Sequence, residues 1–325
     1  MTSVRSIVAL SLALLFASVL SNQARSFAGD KIKIALTTVG GSFLAGGVAA
    51  KKGFFQREGL DVELVQVNVA VALTALLSGD IDYTLLFGST VRAAVRGMPV
   101  KVLASFMDAP TQSLVARENI KSVAELKGKK VVVSSFGASA HVTTVLILHH
   151  FGITPGEVSF VAGGPDRARL AMLEQGLADA AILNPFAIVR AEKLGFRVIA
   201  RAYELFSFPN YGFGATDKKI REQRDVTKRA LKALIRANQY IRENGEGTIQ
   251  VLMDWAKVDR ETATADYNTI RLISSSDGTI PEKGLRLWID ESRAALKTER
   301  EIPLGEVADF SVLSEVQKEL KLTRK

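Results

Sequence analysis

Four pairs of like residues recur along the chain at an almost constant interval: Lys31 and Lys130, Gly79 and Gly176, Asp82 and Asp179, and Gly97 and Gly195 stand 97 to 99 residues apart. The hydrophobic pattern between them repeats as well. The first copy opens with KIKIAL (31–36), turns through Gly40, Gly41, Ser42 and Phe43, and runs helically to Lys52. Strand 61–67, helical run 71–77, strand 81–86, helix 89–96 and strand 100–106 follow. The second copy opens with KVVVS (130–134) and turns through Ser135, Phe136, Gly137, Ala138 and Ser139. It continues with a helix to His150, strand 158–161, helix 166–177, strand 180–183, helix 186–194 and strand 196–200. Strands that alternate with helices must be joined by right-handed crossovers, each burying its apolar stripe on a sheet. The expectation is an α/β chain of two lobes, each a mainly parallel sheet flanked by helices.

Beyond Phe213 the pattern changes to long amphipathic helices. At 227–243, Leu231, Leu234, Ile235, Asn238 and Ile241 share one face, and further helices are expected at 247–256, 260–274, 281–297 and 306–320. With no sheet of their own, these helices are expected to return and cover the first lobe. That requires two chain crossings, near Leu114–Arg117 and Phe208–Gly212. The resulting division is 29–115 for the first part of lobe 1, 116–210 for lobe 2, and 211–325 for the completion of lobe 1 and a helical cap.

Residues 1–28 read as an export signal: Arg5, fourteen uncharged residues from Ile7 to Leu20, then a polar stretch ending Ser26-Phe27-Ala28. Fourteen residues reach about 21 Å as a helix, short of the ~30 Å hydrocarbon core, so the expectation is cleavage after Ala28 rather than a membrane anchor. The chain has no cysteine, which excludes disulfides, thiolate metal sites, thiol catalysis and a Cys-linked lipid anchor. Its net charge of +8 is spread without a run of five like charges, so no nucleic-acid arm is expected. A Walker loop fails at Gly47, where the lysine should stand, and neither a Gly-x-Ser-x-Gly elbow nor a His-Glu-x-x-His motif occurs. All three histidines fall between 141 and 150. No dispersed catalytic or metal constellation can be built from them, and no metal or cofactor is expected.

Several segments carry a family resemblance. They are KIKIAL with its Gly-Ser-Phe turn, AAKKGFF (49–55) leading into EGLDVEL (58–64), ALLSGDIDY (75–83), VAELKGKK (123–130), and Gly176 with Asp179-Ala180-Ala181. In these the mature chain resembles the type II periplasmic solute-binding proteins of ABC importers, most closely the nitrate/sulfonate/taurine branch that also holds binders of thiamine pyrimidine precursors. The resemblance implies a monomeric periplasmic receptor for a small solute, with an ABC permease in the inner membrane as its partner. It also leaves alternatives: a pyrimidine-precursor binding protein or a same-fold enzyme of thiamine-pyrimidine synthesis, and an exported sensor presenting its closed form to a membrane kinase. The synthases use an active-site lysine and histidine with a cysteine-bearing motif, and this chain lacks the cysteine. Where the family often has two prolines after the sixth strand, this chain has Asn184-Pro185-Phe186.

In open α/β sheets ligands bind beyond the carboxyl ends of the strands. That rule selects four loops. Two lie in the first lobe, with Ser42 and Phe43 in one and Phe87, Ser89 and Thr90 in the other. Two lie in the second lobe, with Ser135, Phe136, Gly137, Ser139 and His141 in one and Asn184 and Phe186 in the other. The 134–141 loop leads into a helix whose free N–H groups suit a carboxylate, sulfonate or phosphate, although Ser139 could simply cap it. His141 reads either as a donor to an anion or as a packing residue. Arg167 reads either as a bidentate anion clamp or as a solvated first-turn residue, and Tyr211 as a cleft wall in the second crossing. Asp80 and Asp82 read as turn and strand caps. Four phenylalanines around hydroxyl-rich turns point to a small anionic organic solute, a sulfonate or carboxylate, with an apolar or aromatic body.

Overall fold

The structure, a computed structural model, describes residues 29–322, so the expected signal segment lies outside the described residues. The first copy supplies strands β1 (Asp30–Leu36), β2 (Leu60–Gln66), β3 (Tyr83–Thr84) and β4 (Val100–Ser105). The chain then forms β5 (Ser113–Ala116), followed by β6 (Lys130–Val133), β7 (Ser159–Ala162), β8 (Ala180–Leu183) and β9 (Arg197–Arg201) of the second copy, and finally β10 (Gly212–Thr216). Two five-stranded sheets result, ordered β2-β1-β3-β10-β4 and β7-β6-β8-β5-β9. In each, the repeat strands are parallel and a single strand runs against them. β10 returns antiparallel between β3 and β4, and β5 enters antiparallel between β8 and β9.

These two exchanged strands are where the structure departs from the sequence expectation. Residues 114–117 and 208–212 read as crossings, yet Leu114 pairs with Ile182 and Ala200 inside the second sheet, and Gly212 pairs with Ser105 inside the first. The chain passes between the sheets at 106–112, ahead of the first expected crossing, and at 206–211, which contains most of the second. SLVA and GFGAT are short and apolar, and a strand buried on both faces shows no alternation to betray it.

The repeat itself has a physical cause. Asp82 accepts the Lys33 backbone N–H at 2.7 Å, and Asp179 accepts the Lys130 N–H at 2.9 Å, so each aspartate ties the opening strand of its repeat, β1 or β6, in the same way. Asp82 also pairs with Lys219.

Most of the C-terminal helices cover the first sheet, as expected. Helix Arg224–Glu243 buries Leu231, Leu234, Ile235 and Ile241 against helices Leu44–Lys51 and Phe54–Arg57. Its Asn238 donates from Nδ2 to the carbonyls of Phe106 and Ser275, fastening the first passage to the cap. Helix Glu282–Leu296 lays Trp288 across Gly88 of helix Phe87–Val95. The indole stacks on Phe208 at 4.5 Å and donates to the Pro209 carbonyl at 2.6 Å. The helix expected at 306–320 is interrupted, because Ala308 bridges to Val102 before the last helix begins at Ser311. Helix Arg260–Ile273 departs from the expectation differently: it packs against helix Pro185–Lys193 of the second half, not only against the first lobe. Among the described residues no helix is long and apolar enough to cross a membrane.

Candidate functional site

Adjacent strands place the four loops around one cleft. β1 pairs with β3, so the 40–43 and 87–90 loops lie side by side at the carboxyl edge of the first sheet. β6 pairs with β8, which sets 134–141 beside 184–186 on the second. The two edges meet at two places. At one, the Arg92 guanidinium from helix Phe87–Val95 reaches over Gly137, where an added Cβ would lie 3.0 Å from its terminal nitrogen. At the other, Asp266 from helix Arg260–Ile273 lies over Gly41, with a carboxylate oxygen 2.9 Å from an added Cβ, and also faces the Phe186 backbone N–H.

At the Arg92 end, the Gly137 N–H donates to His141 Nδ1 at 3.1 Å, so the imidazole acts as an acceptor. Burial and the nearby Arg92 charge hold its pKa below the usual histidine value. The ring stands edge-on to Phe136 and Phe160. Arg92 itself is depressed by burial and by Arg96, and its Nε is buried without a hydrogen-bond partner. The Ser139 hydroxyl donates to Asn210 Oδ1 at 2.6 Å, tying the second-lobe helix to the return passage, and Ala138 takes the N-cap position. Ser135 and Phe136 are exposed, Phe136 at 64%.

At the Asp266 end the polar groups are densely connected. Asn184 donates from its backbone N–H and from Nδ2 to the two oxygens of Asp166, each at 2.8 Å, and Thr111 donates to Asn184 Oδ1 at 3.3 Å. Asp166 pairs at 2.6 Å with Arg169, which is 2% exposed and also donates to the Ile182 carbonyl at 2.8 Å. Tyr211 stands edge-on to Phe43 at 5.1 Å. Its phenol is pushed up to about 12 by burial, against hydrogen bonding with Ser42 and Thr111. Asp266 is pushed up to about 7, chiefly by burial. The Phe186 and Gly41 N–H groups pull it down and Asp166 pushes it up, while its Oδ1 is buried with no hydrogen-bond partner.

The expected site residues therefore separate. Ser42, Phe43, Asn184, Phe186 and Tyr211 gather around Asp266, and Gly137, Ser139 and His141 gather around Arg92. Phe87 and Thr90 face the core: Phe87 is 1% exposed, and the Thr90 hydroxyl donates to the Leu86 carbonyl at 2.8 Å, while Ser89 stays half-buried. Arg167 is exposed, and the buried arginine is its neighbour Arg169. Sequence reasoning did not single out Arg92, Thr111 or Asp266. Asp266 did carry a signal, since it interrupts the apolar stripe Ala263–Ile270–Ile273 at helical spacing.

The profile of the NMT1/THI5-like family matches residues 43–247. This chain belongs to that family. Among NMT1/THI5-like relatives, a protein of Brucella abortus named as a binding protein is 23% identical over 71% of this chain and 73% of its own length. A 4-amino-5-hydroxymethyl-2-methylpyrimidine phosphate synthase of Candida albicans is 26% identical over 58% of this chain and 60% of its own. Among solved structures, the nitrate-binding protein NrtA of Synechocystis superposes with a TM-score of 0.76 at 16% identity, covering 91% of this chain and 90% of that one. The aliphatic sulphonate-binding protein SsuA of Escherichia coli superposes at 0.72 with 18% identity, covering 86% and 97%. The fold is that of the periplasmic binding proteins. The expected two-lobed α/β architecture and family are what the structure and its likenesses show.

Proposed function

We propose that this protein is the exported solute-binding receptor of an ABC importer, captures one small organic solute between its lobes by hinge closure, and docks in the closed form on a permease. The observation that carries this reading is the meeting of four strand-end loops from two separate sheets across one cleft, with the passages 106–112 and 206–211 joining the sheets among the described residues. Hinge closure about such passages is how binding proteins of this architecture work. The family and the likeness to importer binding proteins support it, and with it a periplasmic location after cleavage near Ala28. The Arg92 guanidinium over the Gly137 turn, at the start of a twelve-residue helix, supports an anionic head on the solute, a sulfonate or carboxylate. Exposed Phe136 and Phe186 supply apolar walls.

The test is a thermal-shift screen of residues 29–325, refolded to strip carried-over solute, against alkyl and aryl sulfonates, carboxylates, pyrimidines and nitrate. A ligand at 100 times its Kd stabilises the folded state by about 2.7 kcal/mol, enough to raise the midpoint by several degrees. A shift with one chemical class and no turnover is the expected result. Turnover of a bound pyrimidine would establish the synthase alternative instead, and a flat response across the panel would reject the receptor reading.

A further inference from the structure

Helix Ser139–His150 belongs to the second lobe, yet it carries apolar residues on two faces. Ala140, Ile147 and Leu148 pack with Val131 and Ile182 in the core beneath the second sheet. Val142 and Leu146, one turn apart, are 5% and 8% exposed and pack instead with Phe87, Val91 and Trp288 of the first lobe and its cap. A helix that serves one sheet alone keeps polar residues on its far side, so an apolar second face is stable only while both lobes cover it. The seam is also fastened to the return passage. Phe208 stacks on Trp288, the Pro209 carbonyl accepts the indole N–H, and Asn210 accepts the Ser139 hydroxyl. Three successive passage residues are thereby tied to the helices on either side of the seam.

The Asp266 end is built differently. Outside the contact of Asp266 with the Phe186 N–H, the same two helices, Arg260–Ile273 and Pro185–Lys193, leave a groove of about 530 Å³ between them. Glu192, Lys193, Glu261, Thr264 and Asn268 line most of it. Parting the apolar seam would return buried aliphatic and aromatic surface to water, at a cost that grows with its area. Polar walls and an exposed ion pair exchange their contacts for hydration at little cost.

We infer that the lobes part at one end only: the seam of Val142 and Leu146 against Phe87, Val91 and Trp288 stays shut as the pivot, and the groove beside Lys193 and Glu261 is the doorway through which the solute passes. This rests on the receptor reading and adds the route to it. Solute entering by the groove meets the Asp266 and Phe186 contact first and the Arg92 end of the cleft last. The two passages alone would allow the lobes to swing apart evenly; the seam is what makes the opening lopsided.

The experiment needs no solute. Nitroxides are attached in the refolded, solute-free protein to a Lys193→Cys, Glu261→Cys pair across the doorway and, separately, to a His149→Cys, Asp290→Cys pair across the seam. All four side chains are exposed and the chain has no other thiol. Dipolar spin resonance then reads the distance within each pair. The doorway pair should show a second population longer by more than about 2 Å, the scale of a hinge movement, while the seam pair keeps a single narrow distribution. Lengthening of the seam pair by as much as the doorway pair, or by more, overturns the inference and leaves the receptor reading in place. No lengthening in either pair overturns both, since lobes that never part admit no solute.

Discussion

Asp266 also makes an energetic statement about the empty protein. Unfolded, its carboxyl titrates near the ordinary ~3.9, and folded it titrates near about 7. Below about pH 4 both states hold the proton and nothing is lost. As pH rises from about 4 to 7 the unfolded state ionises first, so the group withdraws stability progressively, on the order of 1 kcal/mol per pH unit, until both forms are ionised. The Phe186 and Gly41 N–H groups oppose this, while the Asp166 charge adds to it. Asp266→Asn should therefore match the wild-type melting midpoint near pH 4 and exceed it increasingly towards pH 7.5. Parallel midpoints across that range would show that the carboxyl is not held up. A contrast between two nearby arginines is expected too. Arg169→Met leaves Asp166 buried without its cation and should cost about 3–5 kcal/mol in denaturant unfolding. Arg167→Ala removes an exposed side chain and should stay within about 0.5 kcal/mol. The sequence places both arginines in one helical turn, and nothing in the residue types says which points inward. That choice is made by the Ile182 carbonyl and Asp166, whose positions exist only after the second sheet has formed.

At the scale of elements, helix Phe87–Val95 shows propensity and packing pulling in opposite directions. Gly88 in a helix should be improved by alanine, by about 1 kcal/mol on propensity alone. Yet a Cβ there would stand 2.3 Å from the Trp288 ring, and that ring is locked between Phe208 and the Pro209 carbonyl. Overpacking costs about 1–3 kcal/mol, so Gly88→Ala should destabilise. A raised midpoint would mean that the Trp288 contact yields. The same opposition explains what was legible from sequence. Repeat strands and long helices carry periodicity over many residues, so β1, β2, β6 and helix Arg224–Glu243 are readable within a few positions. β5 and β10 are four and five residues long and acquire strand identity only by insertion between partners distant in sequence. The last helix starts at Ser311 rather than 306 because the Ala308–Val102 bridge overrides a continuous amphipathic pattern. Gly137 and Asn184 of the four loops were legible because strand order alone places them. Arg92 and Asp266 were not, because each arrives from a helix whose placement rests on its packing partners: helix Phe87–Val95 packs on β4 and helix Glu282–Leu296, and helix Arg260–Ile273 on helices Gly245–Ala256 and Pro185–Lys193.

For the whole molecule, the decisive question is whether the solute enters and leaves only when the lobes part. The lobes touch at several places, among them Arg92 over Gly137, Val142 and Leu146 packed in one cluster with Phe87, Val91 and Trp288, Asp266 beside Phe186, and an outer pair, Lys193 with Glu261, whose charged atoms are 2.6 Å apart. That outer pair is some 60% exposed on both sides and should contribute no more than about 1 kcal/mol. It is therefore a safe place to intervene. The chain has no cysteine, so a Lys193→Cys, Glu261→Cys double variant carries the only two thiols, and a short bis-maleimide can join the lobes without ambiguity. If opening gates exchange, joining the thiols with solute inside should slow its release by roughly tenfold or more, as expected for a lid-limited step. Joining them without solute should block uptake, and each singly substituted variant treated alike should behave as the wild type. Linking should also go faster with solute present, because closure brings the two thiols within reach more often. Unchanged release from the linked protein would mean that the cleft exchanges its solute without lobe motion, and the hinge at 106–112 and 206–211 would lose its role.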